Sequence, residues 1–266
     1  MVENRKAEAG MLEAVQVCAG YDARAVLRDV SVVAGAGEML GLIGPNGSGK
    51  TTLLRVLSGF LPCRSGQVKV AGRALDRVSR RELARALAFV PQAIEMPVAY
   101  TVEDVVAMGR TPYVPGWAPL SARDREVVRG ALAAMDLEAL AERPMNELSA
   151  GERQRAVVAM ALAQEPRILL LDEPVAHLDI QHAWKLMETV SRMNREQELT
   201  VVVSLHDLNL AARFCPRLLL LDGGGIAASG TCAQVLDEEI LRRVYRHPIE
   251  TIRREDGSLI LVPGAK

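Results

Sequence analysis

The sequence predicts an α/β fold built on a largely parallel sheet with helices on both faces. Three observations carry that prediction. The stretches RILLLD, LTVVVS and LLLLDGGG, starting at Arg167, Leu199 and Leu218, are apolar at consecutive positions, as strands buried on both faces must be. The helical patterns IQHAWKLMETVSRMNREQ, from Ile180, and HDLNLAARFC, from His206, lie between those strands. Hydrophobic residues fill 49% of 266 positions, enough for a core that offsets ordering entropy and argues against disorder.

The remaining elements follow along the chain. LEAVQVCAGY alternates imperfectly and AVLRDVSVVA more clearly, so Leu12 to Val33 reads as two β segments. EMLGLIG is a short buried strand ending in glycine, and SGKTTLLRVLSGF carries apolar residues at helical spacing. GQVKVAG is a strand between glycines, SRRELARAL a short helix, and LAFVPQ a strand broken by Pro91. From Ala93 to about Ala163 helical patterns dominate: TVEDVVAMG, SARDREVVRGALAAMDL and NELSAGERQRAVVAMALA. The loop GRTPYVPGWAPL separates the first two of these. This helical block reads as an insertion into the sheet. The tail IETIRREDGSLILVPG reads as a hairpin with Asp256-Gly257 at its turn.

Composition removes several classes of function. A net charge of -1 without a basic stripe gives no track for nucleic acid. The longest apolar runs are strand-length, far below the roughly 20 residues that span a bilayer. The start MVENRKAEAG is charged and lacks the apolar centre of a signal peptide. Cys18, Cys63, Cys215 and Cys232 are scattered without a C-x-x-C pair. They are expected to be reduced thiols of a cytoplasmic protein.

GPNGSGKT, Gly44 to Thr51, matches G-x-x-x-x-G-K-[ST] between a strand and a helix. Gly44, Gly47 and Gly49 allow torsions that turn successive N–H groups inward as an anion nest. The helix N-terminus adds partial positive charge. Lys50 is expected to reach the β- and γ-phosphates of a nucleoside triphosphate, and the Thr51 hydroxyl to ligate Mg²⁺. The motif's contacts run through Gly44, Pro45, Asn46, Gly47, Ser48 and Gly49. They continue into Lys50, Thr51 and Thr52. In RILLLDEP, Asp172 ends a buried strand, where it can hold Mg²⁺ through water. Glu173 follows at once and suits a general base that polarises the attacking water.

With GPNGSGKT, LSAGERQ and RILLLDEP in this order, the chain resembles the ATPase subunit of ATP-binding cassette (ABC) transporters from about Met11 to Gly230. The resemblance implies a P-loop NTPase (RecA-like) core with an antiparallel β subdomain and an inserted α-helical subdomain. The cassette would span 11–246, with core 11–92 and 164–230, helical insertion 93–163, and a C-terminal extension 231–266. It implies ATP and Mg²⁺ as ligands and a head-to-tail homodimer. In that dimer the signature helix of each chain caps ATP held by the other. Ser149 and Gly151 would then donate to the γ-phosphate across the interface. Ala150 and Glu152 depart from the common LSGGQ, and the small alanine is expected to be tolerated. Tyr21 resembles the aromatic residue that stacks on adenine. Gln92 resembles the glutamine that contacts Mg²⁺ and the water. Asp179, in AHLD, resembles the residue that crosses the dimer interface. His206 resembles the switch histidine on the γ-phosphate. His177 falls where many relatives carry a small residue, and its role stays open. His182 and His247 show no partner by spacing and read as surface residues.

VAMGRTPYVPG, VAHLDI and SLHDLNLAARFC narrow the resemblance to ATPases of importers for iron chelates (siderophores), haem or cobalamin. Molybdate or tungstate importers, and a soluble iron–sulfur assembly ATPase, are the alternatives. The importer reading implies a polytopic permease docked on about Gln92 to Pro115, and an extracytoplasmic binding protein that delivers cargo. It places the chain peripherally on the cytoplasmic face of the inner or cell membrane. A small GTPase is excluded, because there is no N-K-x-D motif.

Overall fold

The computed structural model describes residues 10–92, 100–116, 118–176 and 178–264. The chain runs β1 (Leu12–Tyr21), β2 (Arg24–Ala34), β3 (Met39–Ile43), α1 (Lys50–Leu57), β4 (Ser65–Val70) and β5 (Arg73–Ala74). It continues with α2 (Arg80–Ala86), β6 (Leu87–Val90), α3 (Val102–Met108), α4 (Ala122–Ala134), α5 (Ala150–Ala163) and β7 (Ile168–Asp172). Next come α6 (Ile180–Gln197), β8 (Thr200–Ser204), α7 (Leu208–Phe214), β9 (Arg217–Asp222) and β10 (Gly225–Thr231). The chain ends in α8 (Cys232–Val235), α9 (Glu238–Tyr245), β11 (Ile249–Arg253) and β12 (Leu259–Pro263). The described residues pack into two compact units, 10–78 with 200–264, and Ser79–Leu199.

In the first unit β2, β1, β4 and β5 form an antiparallel sheet in that order. The imperfect alternation of LEAVQVCAGY has a physical cause. The β1–β2 register shifts between Ala14 and Val17, and Gln16 takes a positive φ of 49°. That is a bulge, which moves the following side chains to the other face. In the same unit β3 pairs in parallel with both β8 and β9. Every residue of β3 and β8 is buried, which explains why neither alternates.

β10 is an addition to the sequence reading. It pairs antiparallel with β9. GIAASGT lacks β-branched alternation, and the strand exists because β9 offers it a backbone edge. The hairpin β11–β12 forms as expected around Asp256-Gly257. The sequence reading lacked α8 and α9, although Asp237 caps α9 and its Leu241 and Val244 are buried.

The second unit centres on α5, whose second half is apolar nearly all round. Ala156 to Ala159 and Ala161 to Ala163 are buried, with α3 and α4 packed against the helix. Arg110, 3% exposed, anchors the far end of α5. Its guanidinium donates to Ala163 O and Glu165 Oε2 at 2.8 Å and to Asp124 Oδ1 at 2.9 Å. The Tyr113 ring lies 4.0 Å away, in cation–π range. In the same unit β6 pairs in parallel with β7, and α6 follows as the longest helix, 18 residues. Among the described residues no helix is long and apolar enough to cross a membrane.

Candidate nucleotide site

The phosphate loop lies in the first unit between β3 and α1. Gly44, Gly47 and Gly49 take φ values of 143°, 75° and 110°, so all three use conformations that L side chains avoid. A Cβ at Gly44 would stand 2.2 Å from Leu221 O, and one at Gly49 2.8 Å from Leu27 Cδ2. The loop is thus pressed against its own core. Lys50 is 4% exposed, and its Nζ donates to Gly44 O at 2.9 Å and Pro45 O at 3.2 Å. The cation therefore lies curled within the loop. Helices α2 to α7 and α9 each carry a side-chain N-cap; α1 opens on Gly49 without one. The helix thus opens directly on the phosphate loop, at the end where a helix holds an anion. The buried Ser48 Oγ has no hydrogen-bond partner among the described residues, so the cradle also holds an unsatisfied hydroxyl. Buried cation, uncapped helix and orphan hydroxyl together fit a polyphosphate. Thr51 stands half-buried and Thr52 buried on the first turn of α1.

Two further residues of the first unit bear on this loop. Tyr21, at the end of β1, is 39% exposed, and its hydroxyl accepts from Arg55 NH1 at 2.9 Å. The Arg55 guanidinium also lies over its ring, 6.0 Å from the centroid. Tyr245 of α9, which sequence reasoning did not single out, takes a backbone hydrogen bond from Gly44. Burial pushes its phenol up to about 12, and that hydrogen bond opposes the rise. The C-terminal segment therefore touches the first glycine of the loop. His206 follows β8 at an exposed bend, and Asp207 caps α7 behind it.

In the second unit Asp172 ends β7 and is 1% exposed. Glu173 then adopts a positive φ of 48°, a costly conformation for a non-glycine residue. Gln92, after β6, donates Nε2–H to Glu173 Oε2 at 2.7 Å. Sequence positions 81 apart thus meet because β6 and β7 are neighbours. The signature turn is a capping box. Ser149 Oγ accepts from Glu152 N at 3.2 Å, and Glu152 Oε2 accepts from Ser149 N at 2.7 Å. The Ser149 backbone, then its hydroxyl, holds the Glu152 carboxyl below the usual range. Ala150 and Gly151 begin the helix proper, and neither needs positive φ among the described residues. Asp179 caps α6 and binds His182, whose backbone N–H and then side chain hold the Asp179 carboxyl below its ordinary range. This corrects the reading of His182 as a surface residue without a partner. Spacing of i to i+3 at a helix start is the signal that could have found it. His177 and the stretch 93–99 of the expected permease contact lie outside the described residues.

The family model described as ABC transporter matches residues 27–176. The chain belongs to the ABC transporter family. An iron(3+)-hydroxamate import ATP-binding protein of Bacillus subtilis (strain 168) is 36% identical to this ABC chain, over 91% of it and 90% of the relative. A hemin import ATP-binding protein of Rhodococcus jostii (strain RHA1) is 43% identical, over 90% of the ABC chain and 82% of the relative. Among solved structures, the ATP-binding cassette MJ0796, dimeric and bound to ADP and Pi, superposes with TM-score 0.74 at 28% identity. That match covers 84% of the ABC chain and 99% of the neighbour. The ABC cassette is an ATPase with the P-loop NTPase fold expected from its motifs.

Proposed function

We propose that this ABC ATPase powers an importer of iron chelates, haem or a similar tetrapyrrole such as cobalamin, as a head-to-tail dimer. The pairing of Gln92 with Glu173 beside buried Asp172 carries the catalytic part of the reading. The names of the relatives supply the cargo class, and they disfavour the molybdate, tungstate and iron–sulfur assembly alternatives.

The chain's groups divide the work. The loop N–H groups, Lys50 and the α1 N-terminus bind the phosphates, while Tyr21 stacks on the base. Thr51, Asp172 and Gln92 would hold Mg²⁺, which when bound neutralises charge on the β- and γ-oxygens. Glu173 accepts a proton from the attacking water, and Gln92 orients that carboxylate through its 2.7 Å hydrogen bond. Ser149 uses its oxygen to cap α5, and its hydroxyl hydrogen, which faces the Glu152 carboxylate, would turn to meet a phosphate on the other chain. His206 senses the γ-phosphate.

The permease would dock on Gln92 to Pro115. Its described part includes the loop after Arg110, which Arg81 and Arg85 grip by donating to Pro112 O at 2.8 and 3.1 Å. The chain then works as a peripheral subunit on the cytoplasmic face of the membrane. Glu173→Gln tests the base. Turnover is expected to fall about 10²- to 10⁴-fold with ATP binding retained. Full steady-state turnover would remove Glu173 from the role. Co-purification of the tagged chain with a many-helix permease and an iron-chelate or haem binding protein tests the cargo. Recovery with a soluble scaffold instead would overturn the importer assignment.

A further inference from the structure

We infer that His182 is a positioning residue that fixes the direction of the Asp179 carboxylate beside the signature turn. The inference rests on the composite-site reading above. Asp179 Oδ1 accepts the His182 backbone N–H at 2.8 Å, which caps α6. Both oxygens of the same carboxylate lie 2.8 Å from His182 Nδ1. An ionised carboxylate only accepts, so Nδ1 carries the proton and the ring is held by that edge.

The root of the imidazole faces the signature glycine across a space that a methyl would fill. A Cβ at Gly151 would stand 3.7 Å from His182 Cγ, 3.9 Å from its Cβ and 3.5 Å from Leu178 Cδ2. One side chain therefore holds the residue expected to cross the dimer, near the glycine expected to meet the other chain's γ-phosphate. Both members of the Asp179–His182 pair stand partly in water, their side chains 65% and 43% exposed, so the pair adds little to fold stability. What it supplies is direction. The Asp179 carboxylate is turned onto its own helix and held there from both oxygens. Closure of two chains then meets a carboxylate that is already aligned.

The test compares His182→Ala with His182→Asn in the full chain, each with and without Glu173→Gln. Asparagine keeps an N–H donor near the place of Nδ1 and discards the rest of the ring. The readouts are fluorescent ATP-analogue binding, ATP-driven dimerisation of the Glu173→Gln chains by light scattering, melting temperature, and steady-state kcat and KM. We expect His182→Ala to keep nucleotide binding and melting temperature and to lose about tenfold in dimerisation and kcat. His182→Asn should recover most of that loss. Wild-type dimerisation and kcat in His182→Ala would overturn the inference. An equal loss in both variants would also overturn it, because the Nδ1 hydrogen bond would then not be the link. Failure of the parent Glu173→Gln chain to dimerise with ATP would sink the composite site itself, and the role of His182 with it.

Discussion

The phosphate loop and the signature turn both open a helix with small residues, and they are built in opposite ways. The phosphate loop is held by backbone and core. Its glycines sit at positive φ, a methyl at Gly44 would strike a carbonyl at 2.2 Å, and Lys50 is buried. The signature turn is held by its own side chains. Ser149 and Glu152 cap each other, and a methyl at Gly151 would meet nothing closer than 3.5 Å. A cradle that must wrap a ligand from one chain is rigid and enclosed. A tip that must meet a ligand carried elsewhere is exposed and finished off locally. The contrast explains how alanine can replace glycine at position 150, since α5 begins there with ordinary helical geometry.

That contrast can be broken most sharply at Gly44. Gly44→Ala should cost about 2–4 kcal/mol through forced backbone strain and the carbonyl contact, read by denaturant melts, with ATP binding lost. A silent Gly44→Ala would mean the loop is as adaptable as the signature turn. A smaller effect is expected at Glu152. Replacing it by Gln should cost about 1 kcal/mol at neutral pH by weakening the capping box. The folded-state pKa of Glu152 is depressed, so its stabilisation is full above the unfolded value near about 4.3 and is lost as pH falls through the folded pKa. The stability gap between wild type and Glu152→Gln should therefore close on acidification, and a gap that persists at low pH would assign the effect to something other than charge. Smallest is Gly151→Ala, expected to shift fold stability by less than about 0.5 kcal/mol, with its effect confined to ATP-driven dimerisation and turnover.

The same contrast governs what the sequence discloses. The phosphate loop is legible because its torsions demand glycine and its charge demands lysine within one short window. Adjacent Asp172 and Glu173 are legible for the same reason. Yet nothing in the sequence announces that Glu173 sits at φ 48° or that Gln92 reaches it, since strand order decides both. Tyr245 could not be tied to Gly44 because the contact joins the two ends of the first unit. β10 was invisible for want of a pattern of its own, whereas α9 carried a cap and two buried positions that could have been read. His182 was missed although Asp-x-x-His is a local signal. The signal is the pair, an acceptor carboxylate three residues before the ring at a helix start.

Arg110 gives the signature helix a property that belongs to mechanics. It grips α5 at Ala163 and grasps α4 through Asp124, while its own loop carries the stacked Tyr113. A helix of 14 residues is a stiff rod about 21 Å long. Clamped at its shank and exposed at its tip, it behaves as a probe. The far end of that rod meets the loop from Thr111 to Pro115, where the Tyr113 hydroxyl donates to Gln164 O at 3.0 Å.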